Sequence, residues 1–206
     1  FKGWERERAN SKEIFERLKC DWVELGQVCE VKPGDLITKE TSVKGEIPVI
    51  AGGQQPAYYH NKSNREAETI TVSASGAYAG FVNYFKIPIF ASDCSTVRVL
   101  DKNKAISRYI YYLLKAKQED IYNFQKGGAQ PHVYSKDLIG IKIPLPDLET
   151  QKQLIARFDK QEDAIKANKA LIEVMQENIN EKISEVWSED GQWRSWRNSG
   201  LYSLYC

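Results

Sequence analysis

Residues 147–187 read DLETQKQLIARFDKQEDAIKANKALIEVMQENINEKISEVW, with no Gly or Pro in the run. Without those breakers the stretch predicts one helix of roughly eleven turns. Leu154, Phe158, Ile165, Ile172, Met175, Ile179, Ile183 and Val186 recur at 4-3 spacing, with Gln161 and Asn168 at intervening seam positions. That is a heptad pattern with polar breaks. Two readings fit it: a coiled-coil strand, or an amphipathic helix lying on the domain before it. A domain of about 140 residues has a radius of gyration of only ~14–15 Å, so a helix this long needs a partner helix. The expectation is a homodimer through this helix, with Gln161 and Asn168 fixing register at some cost in stability.

Upstream of that helix the periodicity changes. Residues 4–19 carry charges around Ile14, Phe15 and Leu18 and predict a helical connector. From Trp22 onward β-favouring residues are punctuated by Gly26 and Pro33-Gly34. Residues 46–100 read mostly as short strands: IPVI, ETITVS, FVNYF and PIFASDCSTVRVL. Residues 104–125 turn helical, with Ile106, Tyr109, Ile110, Leu113 and Leu114 at i, i+3, i+4, i+7 and i+8. Gly127-Gly128 is expected to end that helix, and DLIGIKIPLP to form a last strand. The fold class is therefore α+β: a mixed domain with short strands over 20–146, behind a connector over 1–19. One long coiled-coil helix over 147–187 follows, and the tail over 188–206 is expected to be disordered.

Composition excludes several function classes. The 206 residues are 42% hydrophobic and 28% charged, which is globular. No run is long and apolar enough to span a membrane. The charged opening FKGWERERANSKEIFERLK lacks the apolar core of a signal peptide. A cytoplasmic protein with reduced thiols is expected. Four cysteines and two histidines are scattered without metal-ligand spacing, so neither metal nor cofactor is expected. Asp93-Cys94-Ser95 could be written as a thiol site, but an apolar-flanked cysteine in a strand is the better reading. No phosphate loop, nucleophile elbow or acid–base pair is present.

Net charge is only +1, but its distribution is uneven. Residues 98–126 hold seven basic residues against three acids, whereas 147–190 hold eleven acids against six bases. Lys102, Lys104, Arg108, Lys115 and Lys117 flank the apolar stripe of the predicted helix and suit phosphates; a plain solvated face fits them as well.

Three glycine-bearing loops accompany that helix. IAGGQQPAYYHNKSN offers Gln54, Tyr58, Tyr59, His60, Asn61 and Lys62, all donors or acceptors. Gln and Asn suit adenine edges, and Lys suits guanine or phosphate. SASGAYAG offers Ser75 and Tyr78 among small residues, either as a close backbone approach to an anion or as a tight hairpin. QKGGAQPHVY offers Lys126, Gln130, His132 and Tyr134. Together with the basic helix, these loops predict one concave polar-aromatic surface for double-stranded DNA. Loops that merely hold the fold remain the alternative.

The order of motifs carries a further indication. Trp22-x-x-Leu25-Gly26-x-Val28, IPV-x-x-GG, YYHN, TITVSASGAYAG, IFASDCSTV, KGGAQPHV and IKIPLP-x-L-x-x-QKQLI together resemble the specificity subunits of type I restriction-modification systems. The resemblance covers about residues 20–186. It implies a DNA target-recognition domain followed by a helical spacer. It further implies a subunit without catalysis of its own that reads one half of a bipartite site. Its implied partners are adenine methyltransferase subunits and, through them, restriction/translocase subunits. Family members usually carry two recognition domains; here there is one, either as a dimerising half-subunit or as part of a longer chain. Two other functions fit the residues: the specificity domain of a single-chain restriction-methylation enzyme, and a coiled-coil assembly protein that binds no DNA.

Overall fold

The computed structural model describes residues 11–187, with the side chains of residues 186 and 187 left aside. The first ten residues of the expected connector, Val186 of the seam and the 188–206 tail therefore lie outside the described residues. The chain divides into two compact units between Ala156 and Arg157.

The first unit begins with α1, residues 11–16. Phe15 from α1 is buried edge-on against Tyr109, with ring centroids 5.8 Å apart. β1 (Trp22–Glu24) runs antiparallel to β9 (Lys142–Pro144), and a single helical turn, α2 (Leu25–Val28), follows β1. The central sheet has the order β2-β8-β5-β6, built from β2 (Cys29–Pro33), β8 (Cys94–Val99), β5 (Thr69–Ser73) and β6 (Val82–Phe85). A smaller sheet has the order β4-β3-β7, with β3 (Ile47–Ile50) antiparallel to β4 (Tyr58–His60) and parallel to β7 (Phe90–Ala91).

The Thr-Ile-Thr-Val-Ser alternation of β5 would suit a half-buried strand, yet all five residues are buried. β5 is an interior strand between β8 and β6, and its hydroxyls are covered as well as its apolar side chains. Thr69 donates to the Glu66 carbonyl at 2.7 Å, which meets the bonding need of one of these buried hydroxyls.

Two expectations are corrected. The helix of 104–125 is two helices, α3 (Ser107–Ala116) and α4 (Gln118–Tyr122), broken at Lys117 (φ −91°, ψ 15°). Gly127 therefore caps no helix; at φ +99° it turns a hairpin in which Lys126 and His132 exchange two backbone bonds of 2.8 and 2.9 Å. The last predicted strand is likewise split, into a short helix α5 (Ser135–Ile139) and then β9.

α6 (Leu148–Trp187) is the long helix, 40 residues without a break. Asp147 starts it by accepting from the Thr150 backbone N–H and hydroxyl, each at 2.9 Å. Those bonds hold the Asp147 carboxyl below the usual carboxylate range. Along the predicted seam, Phe158 is buried, while Leu154 and Ile165 are half-buried. Ile172, Met175, Ile179 and Ile183 are each more than half exposed, as are Leu171 and Val174. Among the described residues no helix is long and apolar enough to cross a membrane.

Candidate nucleic-acid interface

The three glycine loops converge, and backbone chemistry is what joins them. Ser75 and His132 form an isolated antiparallel bridge. Gly76 N–H donates to the Pro131 carbonyl at 3.1 Å, and Val133 N–H to the Ala74 carbonyl at 2.9 Å. Gly76 and Gly80 sit at φ +79° and +89°, so the 73–80 turn favours residues without a Cβ at both positions. The third loop, 51–57, presses on the same turn: a Cβ at Gly52 would lie 2.7 Å from the Ser75 carbonyl oxygen.

Side chains reinforce the joint. Gln118 is buried; its amide donates to the Gly80 carbonyl at 2.7 Å and accepts from Val82 N–H at 3.0 Å. Gln125, from the opening of the same motif, donates to the Ala79 carbonyl at 2.8 Å. Lys126 donates to Asp137 at 2.7 Å, which ties the Gly127 hairpin to α5 and holds the Asp137 carboxyl below its ordinary range.

The predicted contact residues fall into three groups. Gln54, Tyr78 (45% exposed), Gln130 and Tyr134 (48% exposed) are offered to solvent around the loop junction. His132 stacks on Tyr134, with centroids 6.0 Å apart and planes 15° from parallel. Ser75, at the centre of the junction, donates its hydroxyl to Asp93.

A second group is exposed but stands apart. β4 runs away from the Gly52-Gly53 turn, so Asn61 and Lys62 lie past its far end, where the Asn61 backbone packs against Gly45. Tyr59 is exposed on the strand between. Lys102 and Lys104 precede α3, whose first turn is tied to Gln151; Gln118, just past its last turn, is tied to Gly80 and Val82. Lys102 and Lys104 therefore stand at the opposite end of α3 from the Gly80 tie, a helix of ten residues and so about 15 Å long at 1.5 Å each.

The third group is occupied by the fold. His60 is buried, accepts from Val43 N–H at 3.0 Å and meets Phe90 edge-on. Tyr58 donates to the Ile37 carbonyl at 2.9 Å. Lys126 is in its ion pair with Asp137. The Arg108 guanidinium lies 4.8, 4.9 and 5.2 Å from the ring centroids of Tyr112, Tyr84 and Tyr111 and donates to the Tyr112 hydroxyl. Lys115 donates to the Val82 carbonyl over the Phe81 ring, and Lys117 pairs with Asp120. The cations of α3 thus fasten it to β6 and α4 instead of forming an open basic face.

From sequence, Asp93 figures only as the neighbour of Cys94 in a candidate thiol site, with no contact role of its own. Cys94 is buried, and that burial pushes its thiol up to about 12, which leaves it inert. Asp93 itself is half-buried, in contact with both Ser75 and Gly52.

The family model for the type I restriction modification DNA specificity domain matches residues 19–177. The chain belongs to that family. A Mycoplasma genitalium protein described as a type I specificity subunit is 26% identical over 187 residues, covering 87% of this chain and 48% of that protein. The specificity subunit of the type I restriction enzyme MjaVIII from Methanocaldococcus jannaschii is 40% identical over 80 residues, 38% of this chain and 18% of that one. The crystal structure of a type I restriction-modification S subunit from M. genitalium superposes with a TM-score of 0.65 at 21% identity, over 90% of this chain and 51% of that one. The HsdS subunit from Thermoanaerobacter tengcongensis gives 0.58 at 20% identity, over 82% and 49%. These likenesses show the fold: a mixed α/β unit with short strands followed by a long helix. The chain spans about half the length of those solved structures and under half of the curated relatives.

Proposed function

We propose that this specificity chain reads one half of a bipartite DNA site through the junction of loops 51–57, 73–80 and 126–134. The observation that carries this is their convergence around Ser75, with Gln54, Tyr78, Gln130 and Tyr134 exposed about it. Amide and phenol groups on turns suit base edges, and the backbone bonds between loops 73–80 and 126–134 mean that little order has to be created there on binding. Lys102 and Lys104 are assigned to phosphates.

The same reading makes the chain a docking subunit without chemistry of its own. It would hand its DNA to adenine methyltransferase subunits and, through them, to restriction/translocase subunits, as the family resemblance implies. The chain incubated with DNA and S-adenosylmethionine should transfer no methyl groups; transfer above background in a methyltransferase-free preparation contradicts this.

The test of DNA reading is enrichment from a pool of randomised 30-base-pair duplexes by the full chain with its methyltransferase partner, followed by titration at several salt concentrations. Wild-type protein should enrich duplexes carrying a defined half-site sequence, in inverted pairs where two copies assemble. Gln130→Ala should relax preference at one base pair by roughly 1–3 kcal/mol and leave the others alone. Lys102→Ala with Lys104→Ala should weaken all duplexes alike and lower the salt slope by about one unit per lost phosphate contact. Binding without salt dependence, or no enrichment, refutes the reading.

A further inference from the structure

We propose that Asp93 is the positioning residue for base readout, acting through Ser75 to set loop 51–57 against the other two loops. The proposal rests on the DNA-reading role above and adds a residue to it. Asp93 lies between β7 and β8, so its backbone is fixed by two sheets at once: Ala91 is in register with Ile50, and Cys94 with Ser73. From that floor it reaches two loops. Its carbonyl accepts from Ala74 N–H at 3.2 Å, and its carboxylate accepts the Ser75 hydroxyl. Gly52 closes over the same carboxylate, where an added Cβ would stand 3.1 Å from the oxygen.

The two junctions differ in what secures them. Loops 73–80 and 126–134 are joined by backbone bonds near 3 Å and need no help. Loop 51–57 has weaker ties. Among the described residues, the Gly53 carbonyl accepts from the Ser73 hydroxyl at 3.5 Å, and the Gln54 carbonyl from the Asn83 amide at 3.3 Å. Bonds of that length restrain little. Ala57 N–H donates to the Val49 carbonyl at 2.9 Å and closes the base of the loop; at its tip the remaining restraint is the packing of Gly52 on the Ser75–Asp93 pair. Readout needs its groups held to about 0.5 Å, so a slip of this loop would blur the bases it faces. A carboxylate beneath a surface offered to an anion lowers general affinity, so its usefulness there lies in the bond to Ser75.

Four forms of the full chain, each with the methyltransferase partner, test this against the randomised duplex pool: wild type, Ser75→Ala, Asp93→Ala and Asp93→Asn. Ser75→Ala and Asp93→Ala should each lose about tenfold in discrimination at the base pairs enriched by wild type. Binding to bulk DNA should not fall in either. The amide oxygen of Asp93→Asn still accepts from Ser75, so that variant should keep the wild-type profile. Should Asp93→Ala fail to fold, Ser75→Ala decides. A wild-type profile in folded Ser75→Ala, with only its melting midpoint lowered, overturns the positioning role and leaves the proposed DNA reading standing. No enrichment by wild type overturns both.

Discussion

Replacing Gln151 by Met should destabilise the first unit by about 3 kcal/mol. Gln151 is fully buried in the first turn of α6. Its amide nitrogen donates to the Lys104 and Pro146 carbonyls, each at 2.9 Å, and its oxygen accepts from Ile106 N–H at 3.0 Å. One side chain thus satisfies three backbone groups at the point where α3 begins and β9 ends. Met has nearly the same volume, so no cavity offsets the comparison. Each orphaned group costs roughly 1–3 kcal/mol, and partial hydration of the rim recovers part of that. With a urea slope of about 2 kcal/mol/M, the unfolding midpoint should fall by about 1.5 M. A shift below about 0.3 M would mean that water replaces the amide and that the start of α6 is not held by it.

Gln151 also illustrates which parts of this fold a sequence displays. The Gln-Lys-Gln helix start belonged to the recognised motif, yet its reason was invisible: the partners lie 5, 45 and 47 residues away in the chain. Local signals were legible. The long helix followed from the absence of breakers, and β3, β5 and β8 from their β-branched runs. What misled was chemistry with two uses. Gly127 was legible as a break, but helix cap and hairpin turn ask the same of a glycine. The basic character of 98–126 was plain, but nothing local announces that Tyr84, on β6, stacks on Arg108. His60 and Tyr58 look like offered polar groups until Val43 and Ile37 are seen to use them. The convergence of loops 51–57, 73–80 and 126–134 was guessed from shared composition. Its centre at Asp93 had no sequence signal beyond a carboxylate between two strands.

Placing Asp at both Ile172 and Ile179 should convert a homodimer into monomers, as read by sedimentation across a concentration series. Ile172, Met175, Ile179 and Ile183 share the seam spacing and are 51–57% exposed. Leu171 and Val174 beside them widen the apolar stripe. Scattered exposed apolar residues need no explanation, but six within thirteen residues of one helix form a patch, and patches of this kind mark association. We propose that a second copy covers it. Pairing of identical seams is isologous, so each residue substituted counts twice. The double variant removes four apolar side chains from the pair and places four carboxylates in the seam. Each would be desolvated in the seam, at a cost of several kcal/mol for the assembly. Two related copies of one reading surface would also dictate the DNA site: the two half-sites should be the same sequence in inverted orientation. The variant therefore has a second readout, since monomers should enrich single half-sites from the duplex pool where wild type enriches inverted pairs. If the double variant sediments as a dimer, the stripe is not the interface, and the symmetry argument for the DNA site falls with it.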